Sequence, residues 1–81
     1  MQHYYAYFAR CKDNTLYAGY TTDLKKREKA HNEGKGAHYT RMRRPVKIVY
    51  NEQFETRSEA QKREYQLKQL SKKDKESLVG T

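Results

Sequence analysis

The chain has 81 residues and a mass of 9.7 kDa, a size at which a domain buries only roughly 60% of the surface that its unfolded chain exposes. We therefore expect one domain, residues 1–81, because a second core does not fit. Hydrophobic residues make up only 35% of the chain, yet 8 tyrosines and 2 phenylalanines supply large side chains for a compact core. This composition favours a folded protein over a disordered one.

The charge of the chain indicates its partner. The 18 Lys and Arg residues against 10 Asp and Glu give a net charge of +8, which attracts polyanions and supports phosphate binding. Nucleic acid is the expected partner, although many small basic proteins are simply soluble intracellular proteins. A single cysteine, Cys11, excludes an intramolecular disulfide, and neither a leader pattern nor a run of about 18 apolar residues occurs. We expect a cytoplasmic protein with no membrane contact.

The first half of the chain predicts a β-hairpin followed by a helix. Residues 4–11 and 15–21 are rich in Tyr, Phe, Leu and Thr and flank the turn-favouring segment 12–14. Thr22 and Asp23 offer an N-cap for a helix over 24–32, which ends before Gly34. Residues 35–44 are basic and lead to Pro45, so we expect a mostly exposed loop that can hold one helical turn.

The second half predicts a strand and one long helix. Apolar residues at the even positions 46, 48, 50 and 54 predict a third, half-buried strand, with Val49 and Glu52 as exceptions. Thr56, with Glu59 three residues later, is a capping-box pattern for a helix that continues over 60–70. A cap at Ser71 predicts a short final helix or a frayed tail over 75–79. The predicted order is ββαβα with an optional C-terminal helix.

Two polar groups break the apolar pattern of the first helix. Leu24, Arg27 and His31 follow the spacing i, i+3 and i+7 and share one face. A surface ion pair would explain Arg27, and a half-buried, hydrogen-bonded ring would explain His31.

Glu64 breaks the pattern of the long helix in the same way, since positions 60, 64 and 67 form its inward stripe. A buried carboxylate needs a metal, a wet cleft edge or a basic partner, for which Arg27 and Lys68 are the candidates. Two helices that both turn polar groups inward favour a shared cleft.

Phosphodiester hydrolysis is a reaction that these residues could perform. It needs a water nucleophile, a base, positive charge on the phosphorane and stabilisation of the leaving oxygen. Arg27, a divalent cation on Glu64 and one or more tyrosines could supply these functions. A phenol with a pKa near ~10 is a poor base at neutral pH, so Tyr17 would need a nearby cation or metal. Most of the tyrosines are expected to be structural.

The motifs resemble a known family. Ala6-Tyr7-Phe8 and Tyr17-Ala18-Gly19, ten residues apart on adjacent predicted strands, resemble the paired tripeptides of the GIY-YIG endonuclease superfamily. The resemblance continues with Arg27 ten residues after Tyr17, His31 one helical turn later, and Glu64 on the helix after the third strand. The compact length and the stretch 34–41 look closest to the small stand-alone bacterial members, the UPF0213-like subgroup.

The resemblance implies an α/β fold of the α+β type, a three-stranded antiparallel sheet flanked by helices. It also implies cleavage of DNA with Mg²⁺ or Mn²⁺ held by Glu64 alone. By motif position, Tyr17 would be the base or water-orienting phenol, and Tyr7 would position the water or the phosphate. Arg27 would stabilise phosphate charge, and His31 could assist proton transfer.

Further residues are expected to contact nucleic acid. Gly19 would allow close approach of a phosphate or of backbone, since it has no side chain. The remaining expected contacts are basic residues of the loop and the third strand: Lys35, His38, Arg41, Arg43, Arg44 and Lys47. No small-molecule cofactor is expected, and the chain is expected to be a monomer.

Two other functions compete with a nuclease: a nucleic-acid-binding module without catalysis, and a small interaction protein with a basic surface. Glu64 distinguishes them, because an inward carboxylate repels phosphate and serves a binder poorly. The nuclease hypothesis also requires that both motif tyrosines lie on one face of the sheet. Tyr7 and Tyr17 share a sheet face only if the hairpin loop has an odd length or contains a β-bulge.

Overall fold

The computed structural model describes residues 2–80. The elements are β1 (Tyr4–Arg10), β2 (Leu16–Thr21), α1 (Leu24–Asn32), α2 (His38–Arg41), β3 (Lys47–Phe54), α3 (Arg57–Gln69) and α4 (Lys72–Val79). The predicted order ββαβα is confirmed, with α2 as the helical turn inside the predicted loop and α4 as the C-terminal helix. Across residues 2–80, no helix has the length and apolar character needed to cross a membrane.

The strands form one antiparallel sheet in the order β2-β1-β3, so β2 is an edge strand. The turn between β1 and β2 has three residues, closed by a bond from the Cys11 N–H to the Thr15 carbonyl at 2.9 Å. Its last residue, Asn14, has a φ of 69°, a left-handed conformation that asparagine tolerates. Because the loop length is odd, Tyr7 and Tyr17 lie on the same sheet face, as the active-site hypothesis requires.

A β-bulge in β3 changes which of its residues share a face. Phe8 pairs with Tyr50, but Ala9 pairs with Ile48, which leaves Val49 as the extra residue. The even positions of the strand therefore do not share one face, contrary to the simple alternation in the sequence. Positions 46 and 48 pack against α1 and α2, whereas positions 49, 50 and 54 pack against α3 and α4.

Each face of the sheet has its own buried core. The face under α3 and α4 buries Ala6, Phe8, Ala18 and Leu67, and the two C-terminal apolar residues of α4 pack against this group. The face under α1 and α2 buries Tyr7, Ala9, Cys11 and Val46. Both predicted caps of the main helices form, since Asp23 accepts a backbone bond at the start of α1 and Thr56 forms the capping box of α3 with Glu59.

Ion pairs fasten α3 and α4 to the sheet. Arg63 of α3 donates from Nε to Glu52 of β3 at 3.0 Å, and the hydroxyl of Tyr50 donates to the same carboxylate. At the other end of the sheet, both terminal nitrogens of Arg10 donate to the Glu76 carboxylate of α4. The Arg63 pair limits rotation of α3 and so determines which of its residues lie against the sheet.

Asn32, the last residue of α1, fixes this helix to the start of β3. Its Nδ2 donates to the Val46 carbonyl at 2.9 Å, and its Oδ1 accepts from the Val46 N–H at 2.6 Å. The pair of bonds satisfies both backbone groups of a buried residue. It therefore sets the position of the whole helix, including Arg27 and His31.

We predict that Asn32→Ala lowers the free energy of unfolding by about 1–3 kcal/mol, because it leaves both buried backbone groups of Val46 without partners. Urea denaturation followed by circular dichroism measures the change. Lys29→Ala, at an exposed position of the same helix, should change it by no more than about 0.5 kcal/mol. Equal stabilities of the two variants would show that the clamp does not hold α1.

Candidate active site

The side chain of Tyr7 crosses over the edge strand. Tyr7 pairs with Gly19 of β2, and a Cβ placed on Gly19 would lie 2.6 Å from Tyr7 Oη and 2.7 Å from its Cζ. Tyr7 is fully buried. The ring of Tyr7 thus occupies the space that a side chain at position 19 would fill. Contrary to the expectation from the sequence, this space does not admit a phosphate.

His31 connects Tyr7 to the loop before β3. Tyr7 Oη lies 2.9 Å from His31 Nε2, and His31 Nδ1 lies 2.8 Å from Thr40 Oγ1. The His31 side chain is 1% exposed, and Thr40 is fully buried. Burial, followed by the charge of Arg27, lowers the pKa of His31 below its usual 6.5, and Glu28 opposes this shift. At neutral pH the ring is therefore uncharged, with one nitrogen that donates and one that accepts.

The phenol of Tyr7 is the point at which the predicted catalytic residues interact. Burial raises its pKa to about 12, the charge of Arg27 lowers it, and Tyr17 and Glu64 raise it further. Arg27 lies on α1 and Glu64 on α3, which cover opposite faces of the sheet. The charges of both helical residues and the phenol of Tyr17 therefore act on the phenol of Tyr7, although Glu64 does not line the cleft that adjoins it.

An open cleft of about 520 Å³ adjoins this network, between β2, α1 and the loop before α2. Its lining includes Tyr17, Lys26, Arg27, His31 and Lys35. The ring of Tyr17 stacks on the ring of Tyr39 with centroids 5.8 Å apart and meets His31 edge-on at the same distance. Tyr17 is thus held in place on one side by aromatic contacts and borders the cleft on the other.

A second hollow of about 380 Å³ continues the cleft past Arg27. The two share Thr21, Thr22 and Arg27, and the second adds Tyr20 and Arg57. We call the two hollows together the edge groove. Its cationic side chains are Lys26, Arg27, Lys35 and Arg57, and its acid, Asp23, is engaged in capping α1.

Glu64 approaches the β2 edge from α3. Arg57, Gln61 and Glu64 follow helical spacing, and Gln61 Nε2 donates to Tyr20 Oη at 3.1 Å, so this helix face borders β2. The Glu64 side chain is 18% exposed, and its Oε2 lies 3.1 Å from Lys68 Nζ. Of the two ion pairs considered from the sequence, the one with Lys68 forms.

The setting of Glu64 fits a hard divalent cation. Mg²⁺ binds through one or two carboxylates and otherwise keeps water and substrate phosphate as ligands. The competing Lys68 side chain is 48% exposed, and helical i,i+4 pairs of this kind contribute only about 0.3–0.5 kcal/mol. Within residues 2–80, no three side chains of His, Cys, Asp or Glu converge on one point, so the candidate protein ligand is Glu64 by itself.

Two arginines expected to contact nucleic acid also have hydrogen-bond partners within the chain. Arg43 donates from Nε to Asp13 at 2.9 Å and from Nη1 to the Tyr39 carbonyl at 2.9 Å, and its guanidinium lies 3.9 Å from the centre of the Tyr39 ring. Arg44 donates from Nε to the Arg41 carbonyl at 3.0 Å. Both side chains fasten the loop between α1 and β3.

The other members of the expected basic cluster lie at three separate places. Lys47 pairs with Arg10, which places it on the sheet face of α3 and α4, away from the edge groove. His38 and Arg41 are exposed on α2, outside the groove lining. Lys35 is the member of that cluster that lines the groove.

Residues 3–77 match the GIY-YIG catalytic domain. The chain belongs to the GIY-YIG family. It is 57% identical over 76 residues to a UPF0213 protein of Bacillus velezensis, covering 94% of this chain and 77% of that protein. Identity to a UPF0213 protein of Staphylococcus saprophyticus is 51% over 80 residues, or 99% of this chain and 98% of that protein. The solution NMR structure of a UPF0213 protein from Bacillus halodurans is similar at 47% identity and a TM-score of 0.60, covering 95% and 82% of the two chains.

Tyr7 and the tripeptide Tyr17-Ala18-Gly19 supply the two tyrosines and the final glycine of the paired motif, whereas the residues beside and between them vary, and the fold explains why. Ala6, Phe8 and Ala18 point to the opposite sheet face from Tyr7 and Tyr17 and pack in the core under α3. Their size is therefore set by core packing. The tyrosines and Gly19 face α1 and meet at the ring of Tyr7.

Four residues of this GIY-YIG site were not predicted. Lys26 and Arg57 are two of many exposed cations in the sequence, so their place in the edge groove depends on tertiary structure. Thr40 and Gly36 lie in the stretch 34–41, which was identified as typical of the subgroup but had no assigned chemistry. A Cβ on Gly36 would overlap the His31 ring, so the loop can cover that ring only with glycine there.

The lowered pKa of His31 makes stability depend on pH. In the unfolded chain His31 titrates near ~6.5, so the unfolded state binds more protons than the folded state as pH falls below that value. We predict that the free energy of unfolding decreases from about pH 7.5 to about pH 5.5, above the range in which carboxylates titrate. Urea denaturation at the two values should show a smaller decrease for His31→Gln than for His38→Gln, the exposed control. An equal decrease in both variants would contradict a neutral, buried His31.

Proposed function

We propose that this GIY-YIG protein is a metal-dependent endonuclease that hydrolyses DNA phosphodiester bonds in the edge groove. The observation that supports this most directly is the groove beside Tyr17 that is lined by Arg27 and three further cations, next to a phenol of Tyr7 that the charges of both Arg27 and Glu64 influence. A carboxylate near a phosphate-binding arginine weakens anion binding unless a cation accompanies it. The arrangement therefore suits phosphate together with a metal better than phosphate alone.

Arg27 lies at the junction of the two hollows and is the group placed to stabilise charge on the phosphate. A guanidinium presents several N–H donors in a fixed plane and stays protonated, so it can bind two phosphate oxygens as negative charge develops. Tyr17 borders the same cleft with its ring held by Tyr39 and His31. Its hydroxyl is assigned to the attacking water, as base or as orienting group.

Tyr7 and His31 act as a pair behind the cleft surface. The phenol of Tyr7 is too weak an acid to ionise unaided, since burial raises its pKa to about 12. His31 Nε2, at 2.9 Å, is the nitrogen that can accept its proton. Arg27 favours the resulting phenolate, whose negative charge would act from behind the groove on the water or the phosphate held there.

Glu64 would hold Mg²⁺ or Mn²⁺. When bound, the cation supplies Lewis-acid stabilisation of the phosphate and of the leaving oxygen. This chain contributes the carboxylate, the displaceable Lys68 beside it and the fastening of α3 by Arg63 that keeps Glu64 at the β2 edge. The lone carboxylate leaves the remaining ligand positions to water and the substrate.

The edge groove is the route proposed for the phosphate backbone. Its four cations, Lys26, Arg27, Lys35 and Arg57, line two adjoining hollows, the first of which Tyr17 and His31 also border. Because cationic side chains are the groups that bind phosphate oxygens, contacts in the groove are expected to be mainly with phosphates.

We predict that Glu64→Gln abolishes cleavage of branched, flapped or duplex DNA by Mg²⁺ or Mn²⁺ while the fold and DNA affinity stay intact, because the amide removes the charge that retains the cation. Arg27→Ala should reduce kcat by roughly 10²–10³-fold through lost charge stabilisation. Tyr17→Phe should also lower kcat, since it removes only the hydroxyl. Gel assays of strand cleavage measure all three.

The matched controls are Glu55→Gln, an exposed carboxylate, and Lys25→Ala, an exposed cation of α1 that lines a separate hollow. Both should cleave like wild type. If the three active-site variants also cleave like wild type, the activity belongs to another site. If wild type binds DNA but does not cleave it with either metal, the chain is a binding module and Glu64 is an ion-pair partner of Lys68.

We predict that DNA affinity depends on the groove cations. Neutralisation of about four phosphates on duplex DNA gives a slope of log K against log salt near about −3.6. Changing Lys26, Lys35 and Arg57 together to Gln should reduce the slope to about −0.9. Changing Lys72, Lys73 and Lys75 of α4 to Gln removes the same charge outside the groove and should leave most of the slope unchanged. Fluorescence anisotropy across a salt series measures both. Equal losses in the two triple variants would mean that only net charge matters.

A further inference from the structure

Three fully buried polar side chains form a chain of hydrogen bonds behind the cleft: Tyr7, His31 and Thr40. The chain ends at the Ala37 carbonyl, 2.9 Å from Thr40 Oγ1. Within the described residues, no buried side-chain nitrogen or oxygen lacks a hydrogen-bond partner. Because every group in this chain is enclosed, the direction of each hydrogen bond follows from counting the available hydrogens.

The counting starts at the Tyr7 end. The buried hydroxyl of Tyr7 has one hydrogen, and among the described residues its hydrogen-bond partner is His31 Nε2, so this nitrogen carries a lone pair and accepts. A neutral imidazole has one N–H, so Nδ1 carries it and donates to Thr40 Oγ1. The hydroxyl hydrogen of Thr40 then points to the Ala37 carbonyl, which also accepts from the backbone N–H groups of Thr40 and Arg41.

We propose that Thr40 is a positioning residue that fixes His31 in the Nδ1–H tautomer, so that Nε2 stands ready to accept the proton of Tyr7. The function of this tautomer rests on the proposed nuclease activity. Burial raises the pKa of Tyr7 to about 12 and lowers that of His31, so the proton rests on Tyr7. When the charge of Arg27 stabilises the phenolate enough for Tyr7 to ionise, its O–H bond breaks and an Nε2–H bond forms, which gives a phenolate and an imidazolium. The imidazolium keeps its Nδ1–H bond to Thr40, and the proton returns to Tyr7 by the reverse step.

The opposite tautomer would disable this step. With the hydrogen on Nε2, His31 would donate to Tyr7 Oη and could not accept its proton. Thr40 would then have to turn its hydrogen from the Ala37 carbonyl to Nδ1. Gly36 supports the observed arrangement, since any side chain there would overlap the His31 ring and displace the loop that carries Thr40. The stretch 34–41 thus acquires a chemical role in the site.

The test reads the tautomer directly by long-range ¹H–¹⁵N NMR of wild type and of Thr40→Val and Thr40→Ser. Valine keeps the shape of threonine without the hydroxyl, and serine keeps the hydroxyl. In wild type and in Thr40→Ser, we expect Nδ1 to have the ¹⁵N chemical shift of a protonated nitrogen. Nε2 should have the shift of a nitrogen without hydrogen. Thr40→Val should populate the Nε2–H tautomer.

The wild-type spectrum alone can overturn the proposal, so it does not depend on the folding of the valine variant. An Nε2–H signal in wild type, or an unchanged Nδ1–H signal in folded Thr40→Val, would overturn it. In cleavage assays, Thr40→Val should lower kcat by roughly 100-fold with little change in KM, and Thr40→Ser should restore most of it. A changed tautomer with unchanged kcat would refute the positioning role. If wild type does not cleave DNA, the proposed function fails, and the NMR result still decides the tautomer.

Discussion

The three-residue turn between β1 and β2 is the constraint on which the candidate site depends. Its odd length, with Asn14 in the left-handed conformation, pairs Tyr7 with Gly19 and places Tyr17 on the same face. A slip of one residue would send one tyrosine into the core under α3 and the other toward α1. It would also move Gly19 away from the Tyr7 ring. The turn thus determines on which sheet face both motif tyrosines lie.

The core under α1 is polar to an extent unusual for a chain of this size. Tyr7, His31 and Thr40 occupy space that apolar side chains would fill in an ordinary small domain. Such a network is tolerated because each member has a partner, and a partly satisfied network would cost more than an apolar core. Its members come from β1, α1 and α2, so the bonds align three elements with directional contacts. Stability from this network is secondary to the precise placement of the Tyr7 hydroxyl.

Local signals in the sequence predicted most of the fold. The caps at Asp23 and Thr56, the turn at 12–14 and the helical spacing of Glu64 all depend on neighbours within a few residues. The bulge at Val49 could not be predicted, because it is set by pairing with β1 across the sheet. The role of Arg43 was missed for a similar reason. Its partners, Asp13 and Tyr39, are brought together by tertiary structure, so a count of basic residues cannot separate a structural arginine from one that contacts phosphate.

The position of the site at an edge strand follows from how its parts are divided between the two sheet faces. Arg27 belongs to a helix on one face and Glu64 to a helix on the other, and a sheet interior would keep them apart. At β2 there is no further strand among the described elements, so both helices can reach around the same edge. Gly19 completes this arrangement, because its lack of a side chain lets Tyr7 extend from the central strand to that edge. The phenol of Tyr7 is thus influenced by the carboxylate of a helix on one face and by the guanidinium of a helix on the other.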